Sequence, residues 1–179
     1  MKKTNYFLSL LLFVAMASCQ SWPTVSYSDT FDKSLTINTT TTTLAASDLL
    51  DCAENANFKK YGKKINSINI ERATYQLTAF TAPAGTPAQT MTGSIKITDG
   101  TSATAYDLAS FNNVDLASLL NKETDLVLNT TGQDNAQKFI KNNCKIGVIV
   151  AATANRGPIN LTIQVKFYTK SVARIIGSN

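Results

Sequence analysis

Three cysteines and twelve carboxylates carry most of the chemical potential of this 179-residue chain, which contains no histidine. Without imidazole there is no Ser-His-Asp or Cys-His nucleophile, no histidine general base and no histidine-bearing zinc site. No serine is followed three positions later by lysine, and neither a G-x-S-x-G elbow nor a glycine-rich phosphate loop occurs. A D-x-D-x-D-G calcium loop is also missing, so neither a metal nor a cofactor is expected. Paired carboxylates remain, and two of them suffice for glycoside hydrolysis. Asp48, Asp51 and Glu54 fall at i, i+3 and i+6 of one expected helix, while Asp107 with Asp115 and Glu123 with Asp125 lie in expected loops. At a helix start Asp48 and Asp51 already serve as caps and dipole partners. No enzymatic activity is expected.

A binding role needs no rare residue. Tyr106, Phe111 and Tyr168 are the aromatic candidates for stacking on sugar rings or partner side chains. The competing assignment for each is the core or a strand face.

The first cysteine belongs to a leader. Lys2 and Lys3 precede an apolar stretch from Phe7 to Met16 broken only by Ser9, and small residues Ala17 and Ser18 lead into Cys19. This is a secretory signal over residues 1–18, too short for a spanning helix. The run Met16-Ala17-Ser18-Cys19 resembles the lipobox of bacterial lipoproteins, with Met16 where leucine is commoner. The resemblance implies cleavage before Cys19 and diacylation of its thiol. Several acyl chains anchor far more firmly than one. Gln20, in place of the aspartate that retains some lipoproteins in the inner membrane, implies the outer membrane, on its periplasmic face or at the cell surface.

Cys52 and Cys144 remain, an even count for an oxidising compartment, and a bridge between them is expected. Two buried thiols behaving as small hydrophobes are the alternative. Loss of the leader removes Lys2 and Lys3 and no acid, leaving 15 basic against 12 acidic side chains and a net charge of +3. Lys59, Lys60, Lys63 and Lys64 form one dense cluster, and Lys138, Lys141 and Lys145 a looser one. Nucleic acid would call for a broader basic face with interleaved aromatics and is not an expected partner. The clusters read as a solvated helix end, with attraction to anionic lipid headgroups or polysaccharide as the functional alternative.

The elements that must position these residues are mostly strands. Residues 19–30 read as a lipidated cysteine and polar tether, with Trp22 suited to the headgroup level. Ser34–Ile37 alternates as a first strand, and the threonine run Thr39–Thr43 reads as an exposed edge strand or loop. The spacing then predicts a helix from an N-cap at Ser47 through Lys60 to a stop at Gly62. From Ile65 the period is two, with a parity change that places a bulge near Glu71–Ala73. After a loop at Ala82–Ala88, Met91, Gly93, Ile95 and Ile97 alternate with polar residues up to the turn Asp99-Gly100, giving an antiparallel pair. Val114–Leu120 and Ala136–Ile140 read as single helical turns, and Leu126 with Leu128 as another strand. The last 35 residues alternate through Ile146–Val150, a turn at Asn155–Pro158, and Leu161–Phe167, reading as a long hairpin.

Six to eight strands with one helix and two short helical crossings make a mainly β chain. The expected fold is an antiparallel β-sandwich, Ig-like or jelly-roll-like, over residues 31–179, with a closed barrel as the alternative. The terminal half loosely resembles Ig-like sandwich lipoproteins of Bacteroidota-type envelopes, a likeness of pattern that carries no site residues. The expected function is a membrane-anchored envelope lipoprotein that presents a non-catalytic surface to a protein or glycan partner. A hydrophobe-binding carrier and a fimbrial-type subunit assembled by strand exchange are the alternatives.

Overall fold

The computed structural model describes residues 23–82 and 87–175. The leader, Cys19, Trp22 and the middle of the Ala82–Ala88 loop lie outside the described residues. Eight strands form two antiparallel four-stranded sheets: β1 (Thr24–Thr39), β8 (Ile159–Arg174), β3 (Ile65–Thr81) and β6 (Thr124–Asp125) in one, and β2 (Thr43–Asp51), β7 (Lys145–Ala154), β4 (Thr90–Thr98) and β5 (Tyr106–Asp115) in the other. The sheets are ordered β1-β8-β3-β6 and β2-β7-β4-β5. Every connection except β4–β5 therefore carries the chain from one sheet to the other. This is the eight-stranded jelly-roll arrangement of a β-sandwich.

The expected pairings between sequence neighbours are corrected by this order. β3 pairs with β8 and β6, and β4 pairs with β7 and β5, so the predicted antiparallel pair is split across the sandwich. β7 and β8 likewise lie in different sheets, and the predicted terminal hairpin is an arch. Alternation specifies which side chains face the core, and it says nothing about which strand lies alongside. On β8 that alternation is complete: Ile159, Leu161, Ile163, Val165 and Phe167 are buried while the residues between them are not.

What turns the chain at the arch is Asn155. Its backbone N–H donates to the Thr90 carbonyl (3.0 Å), its side-chain oxygen accepts from the Thr90 N–H (3.1 Å), and its amide donates to the Ala88 carbonyl (3.1 Å). Gly157 then passes so close to the β1–β2 crossing that a Cβ would stand 2.7 Å from the Thr40 carbonyl oxygen. The threonine run is that crossing, with Thr40–Thr42 as bends between the sheets.

Two other segments differ from their sequence reading. β1 begins at Thr24, opposite Arg174, so residues 24–30 are strand rather than tether; Val25 and Tyr27 pack on the core and recruit them. The helix expected from Ser47 is also a strand as far as Asp51. Leu44 and Leu50 are buried on one face of the strand, and pairing of Thr43–Asp51 with Thr153–Lys145 overrides the weak helical spacing. Helical backbone starts only at a 3-10 turn, Cys52–Glu54, and continues in α1 (Ala56–Tyr61), capped by the Asn55 side chain on the Asn57 and Phe58 N–H groups.

The longest helix among the described residues is α2 (Thr130–Asn143), of which only the Ala136–Ile140 turn is legible in the apolar spacing. Asn129 caps it by accepting from the Gly132 N–H (3.2 Å), and Ala136 and Ile140 are buried. The bulge expected near Glu71–Ala73 is present, a register shift between Ile70 and Arg72 against β8. Around it the space between the sheets is filled by side chains such as Phe31, Ile95, Val148, Val150 and Phe167. The mainly β sandwich expected from the sequence is the observed fold.

Candidate functional site

Two surface features gather polar and charged groups. The first lies on the outer face of the β1-β8-β3-β6 sheet. The bulge in β3 turns Arg72 outward, opposite Tyr168 of β8, and sets the fully buried Thr74 opposite Lys166. Glu123, just before β6, reaches over both. The Tyr168 hydroxyl donates to Glu123 Oε1 at 2.6 Å, Lys166 Nζ donates to Oε2 at 3.2 Å, and Arg72 lies 3.5 Å from Oε1. Arg72 also pairs with Asp125, and its guanidinium sits over the Tyr168 ring at 5.2 Å. The Tyr168 hydrogen bond, and then that of Lys166, hold the Glu123 carboxyl below its ordinary range, while the same carboxylate pushes the Tyr168 hydroxyl up. Further along this face Gln76 donates to Gln164 (2.8 Å) and Gln164 to Asp32 (2.7 Å), a ladder across three strands.

Of the three aromatic candidates, Tyr168 is therefore on the surface, half-buried in this network. Phe111 is not: it is buried between the sheets, stacked on Tyr75 at 5.7 Å, because β5 turns it inward with Leu108 and Ala109. Tyr106 is half-buried against Phe139 of α2 at 6.0 Å. The three rings do not form one site.

The candidate carboxylates are dispersed as well. Asp48 and Asp51 sit on β2 rather than on a helix. Asp48 pairs with Lys33 at 2.7 Å, and that bond holds its carboxyl below the usual range. Asp51 caps the 3-10 turn through the Ala53 N–H (2.9 Å) and lies 3.9 Å from Lys145. Asp107 pairs with Lys96 at 3.3 Å, and Asp115 accepts from the Ala117 N–H at 3.0 Å. Among the described residues, no group of three or more Cys, Asp or Glu side chains could hold a metal ion.

The second feature is an open cleft of about 800 Å³ at the end of the sandwich where β1 begins. Its described lining includes Lys59, Lys60, Lys63, Lys64 and Lys141, together with Tyr61 and Cys144, and no acidic residue. Cys52 and Cys144 form a disulfide, with Cα atoms 5.1 Å apart, well inside the span such a bridge allows. The bridge joins the segment bearing the dense lysine cluster to the end of α2, which brings Lys141 beside it.

The walls of the cleft are held by aromatic and amide contacts. Phe58 meets Phe31 edge-on at 5.6 Å, and Tyr61 stacks on Tyr27 at 5.4 Å. Asn55 and Asn57 both donate to Asp29 Oδ1, at 3.0 and 2.9 Å, pinning α1 to β1. Lys60 Nζ lies 4.9 Å above the Tyr61 ring. Neither surface feature stands out along the sequence. Glu123 comes 43 positions before the lysine it bonds. Of the second lysine cluster only Lys141 lines the cleft, brought there by the Cys52–Cys144 bridge at the end of α2.

No family model matches the chain, and no curated protein matches it. Solved structures to which it is similar include those of Desmodium yellow mottle tymovirus, at 10% identity and a TM-score of 0.34 over 89% of this chain and 86% of that one. Turnip yellow mosaic virus is another, at 9% identity and a TM-score of 0.34 over 88% of this chain and 98% of that one. A likeness this distant bears on neither the ancestry nor the function of the chain. No helix among the described residues is long and apolar enough to cross a membrane.

Proposed function

We propose that this protein is a lipoprotein of the bacterial outer membrane, anchored through Cys19, whose jelly-roll domain presents a non-catalytic binding or assembly surface. The observation that carries the proposal is how soon the fold begins after the lipobox-like Met16-Ala17-Ser18-Cys19. The Pro23 carbonyl already accepts from the Ile175 N–H at 2.7 Å, and Thr24 is already in the sheet. A domain that starts five residues after its anchor stands directly on the bilayer. The carboxylates a glycosidase would need are taken up in ion pairs, caps and hydrogen bonds, and those with displaced protonation (Asp48, Asp99 and Glu123) are all shifted toward the ionised form. A general acid requires the opposite shift. Filled strand faces weigh against a hydrophobe carrier.

The test is fractionation of the full chain expressed in a bacterial host that processes lipoproteins. The expected outcome is recovery in the outer membrane, with Cys19→Ser moving the protein to the soluble fraction or leaving its leader uncleaved. Identical fractionation of both forms would overturn the anchor.

One observation favours a second reading, the strand-exchanging subunit. β1 is a 16-residue strand at a sheet edge, paired along one side only among the described residues. That reading requires concentration-dependent polymers in which β1 of one copy pairs with β8 of the next. A strictly monomeric protein by native mass spectrometry would eliminate it.

A further inference from the structure

We propose that the lysine-lined cleft at the disulfide end docks the phosphate groups of anionic lipid headgroups in the membrane that holds the anchor. The inference rests on the lipoprotein reading for its geometry, and on the cleft itself for its chemistry.

Position comes first. β1 enters the sheet at Thr24 opposite Arg174, and one residue on, Ala173 lies between Val25 and Ile65. Ile65 directly follows the Gly62–Lys64 turn, so the lysines of that turn and the chain's entry into the fold share one end of the sandwich. Five residues lead from Cys19 to Thr24, and a fully extended chain of that length reaches roughly 17 Å. An acylated Cys19 therefore keeps this end, and not the opposite end with the Thr40–Thr42 and Asn155–Pro158 crossings, against the headgroups.

Charge and shape agree with that placement. Lys60, Lys63, Lys64 and Lys141 are exposed and line one open cleft, with Lys59 beside them. Their compact ammonium groups suit phosphate as point charges, and a negatively charged leaflet attracts each of them within about a Debye length. The cleft is also held in shape before any ligand arrives, by the Cys52–Cys144 bridge, the Phe31–Phe58 and Tyr27–Tyr61 contacts and the two amide bonds to Asp29. Such preorganisation leaves less ordering to be done on binding. The same residues also make the site part of the anchor: a second, electrostatic signal beside the acyl chains.

The test separates the cleft from the acyl chains by using the chain from residue 19 with Cys19→Ser. Its partitioning is measured on vesicles of phosphatidylcholine alone and of phosphatidylcholine mixed with phosphatidylglycerol. Binding is expected only to the anionic vesicles, falling with added salt. Lys63→Gln is expected to weaken it roughly fivefold, and the combined Lys60→Gln, Lys63→Gln, Lys64→Gln and Lys141→Gln variant to abolish it. Lys122→Gln, an exposed lysine outside the cleft, is expected to leave it unchanged. Equal binding to both vesicle types, or an unaffected fourfold variant, would overturn the proposal. So would displacement by inorganic phosphate at low millimolar concentration, which would make free phosphate the ligand, or preferential capture by a soluble sulfated polysaccharide. Because the protein tested lacks the anchor, failure here leaves acylation at Cys19 untouched, and an unacylated Cys19 would not erase a positive vesicle result.

Discussion

Glu123 shows how much one residue can organise on the face of a sheet. Its two oxygens accept from Tyr168 and Lys166 and face Arg72, so a loop carboxylate fastens β6 across β3 and β8. The Tyr168 hydrogen bond, followed by that of Lys166, lowers its proton affinity in the folded state relative to the unfolded chain. A depressed carboxyl stabilises the fold above its unfolded pKa, and that contribution is lost as the pH falls through the folded value. For Tyr168 the shift is upward, with Glu123 the first cause, so its contribution is present below the unfolded phenol pKa and lost as the pH rises through the folded one. Glu123→Gln is therefore expected to lower stability at neutral pH by about 1 kcal/mol, the pair being partly exposed. It should also flatten both the acid and the alkaline limbs of a plot of urea midpoint against pH. A variant with the wild-type pH profile would show that the network is ornamental. The outward parity of Lys166 and Tyr168 is legible in the alternation of β8. Glu123 is not, because a loop's approach to a sheet leaves no periodic trace.

At the scale of elements, α1 with its following turn and the end of α2 form the two sides of the cleft, and the disulfide joins them. Gly132 lies where α2 crosses β5, and a Cβ there would stand 2.2 Å from the Asp107 carbonyl oxygen. Gly132→Ala should therefore cost stability, by roughly 1–3 kcal/mol from overpacking, although alanine is the better helix former. A gain in thermal midpoint would mean that α2 does not seat on β5 as described. The glycine that permits the contact also obscures the helix, since a Thr-Thr-Gly start reads as a loop until its Asn129 cap is recognised. The segment from Ser47 fails in the opposite direction. Leu49, Leu50 and Ala53 have helical spacing, yet β7 presents an edge to which Thr43–Asp51 pairs, and tertiary pairing wins over a marginal local preference. The Cys52–Cys144 bridge closes a separation of 92 residues. Replacing both cysteines with alanine is expected to cost up to about 4–5 kcal/mol in urea unfolding at neutral pH. A loss well under 1 kcal/mol would show that the unfolded chain is not constrained by the bridge.

For the molecule as a whole, local patterning and global topology part company. The alternation of Ile159 through Phe167 and of Met91, Ile95 and Ile97 identifies the buried faces correctly, and two packed sheets follow from it. Which strand lies beside which does not follow. A four-residue turn such as Asn155–Pro158 serves a hairpin or an arch equally well in sequence, and only its bonds to Thr90 and Ala88 decide. The resulting jelly roll places the β1–β2 and β7–β8 crossings at one end and, at the other, the chain's entry, the disulfide and the lysine cleft, which the β2–β3 and β6–β7 crossings build. Under the proposed lipoprotein reading, that polarity sets the cationic end beside the anchor, where an anionic membrane surface would attract it.

The claim on which the proposed function depends is the anchor, and the intact mass of the protein extracted from its own membrane tests it most directly. The account requires a chain that begins at Cys19 and carries the added mass of a diacylglyceryl group, with Cys52 and Cys144 lighter by the two hydrogens of a disulfide. A chain that retains the leader, or one cleaved elsewhere with Cys19 unmodified, would contradict it.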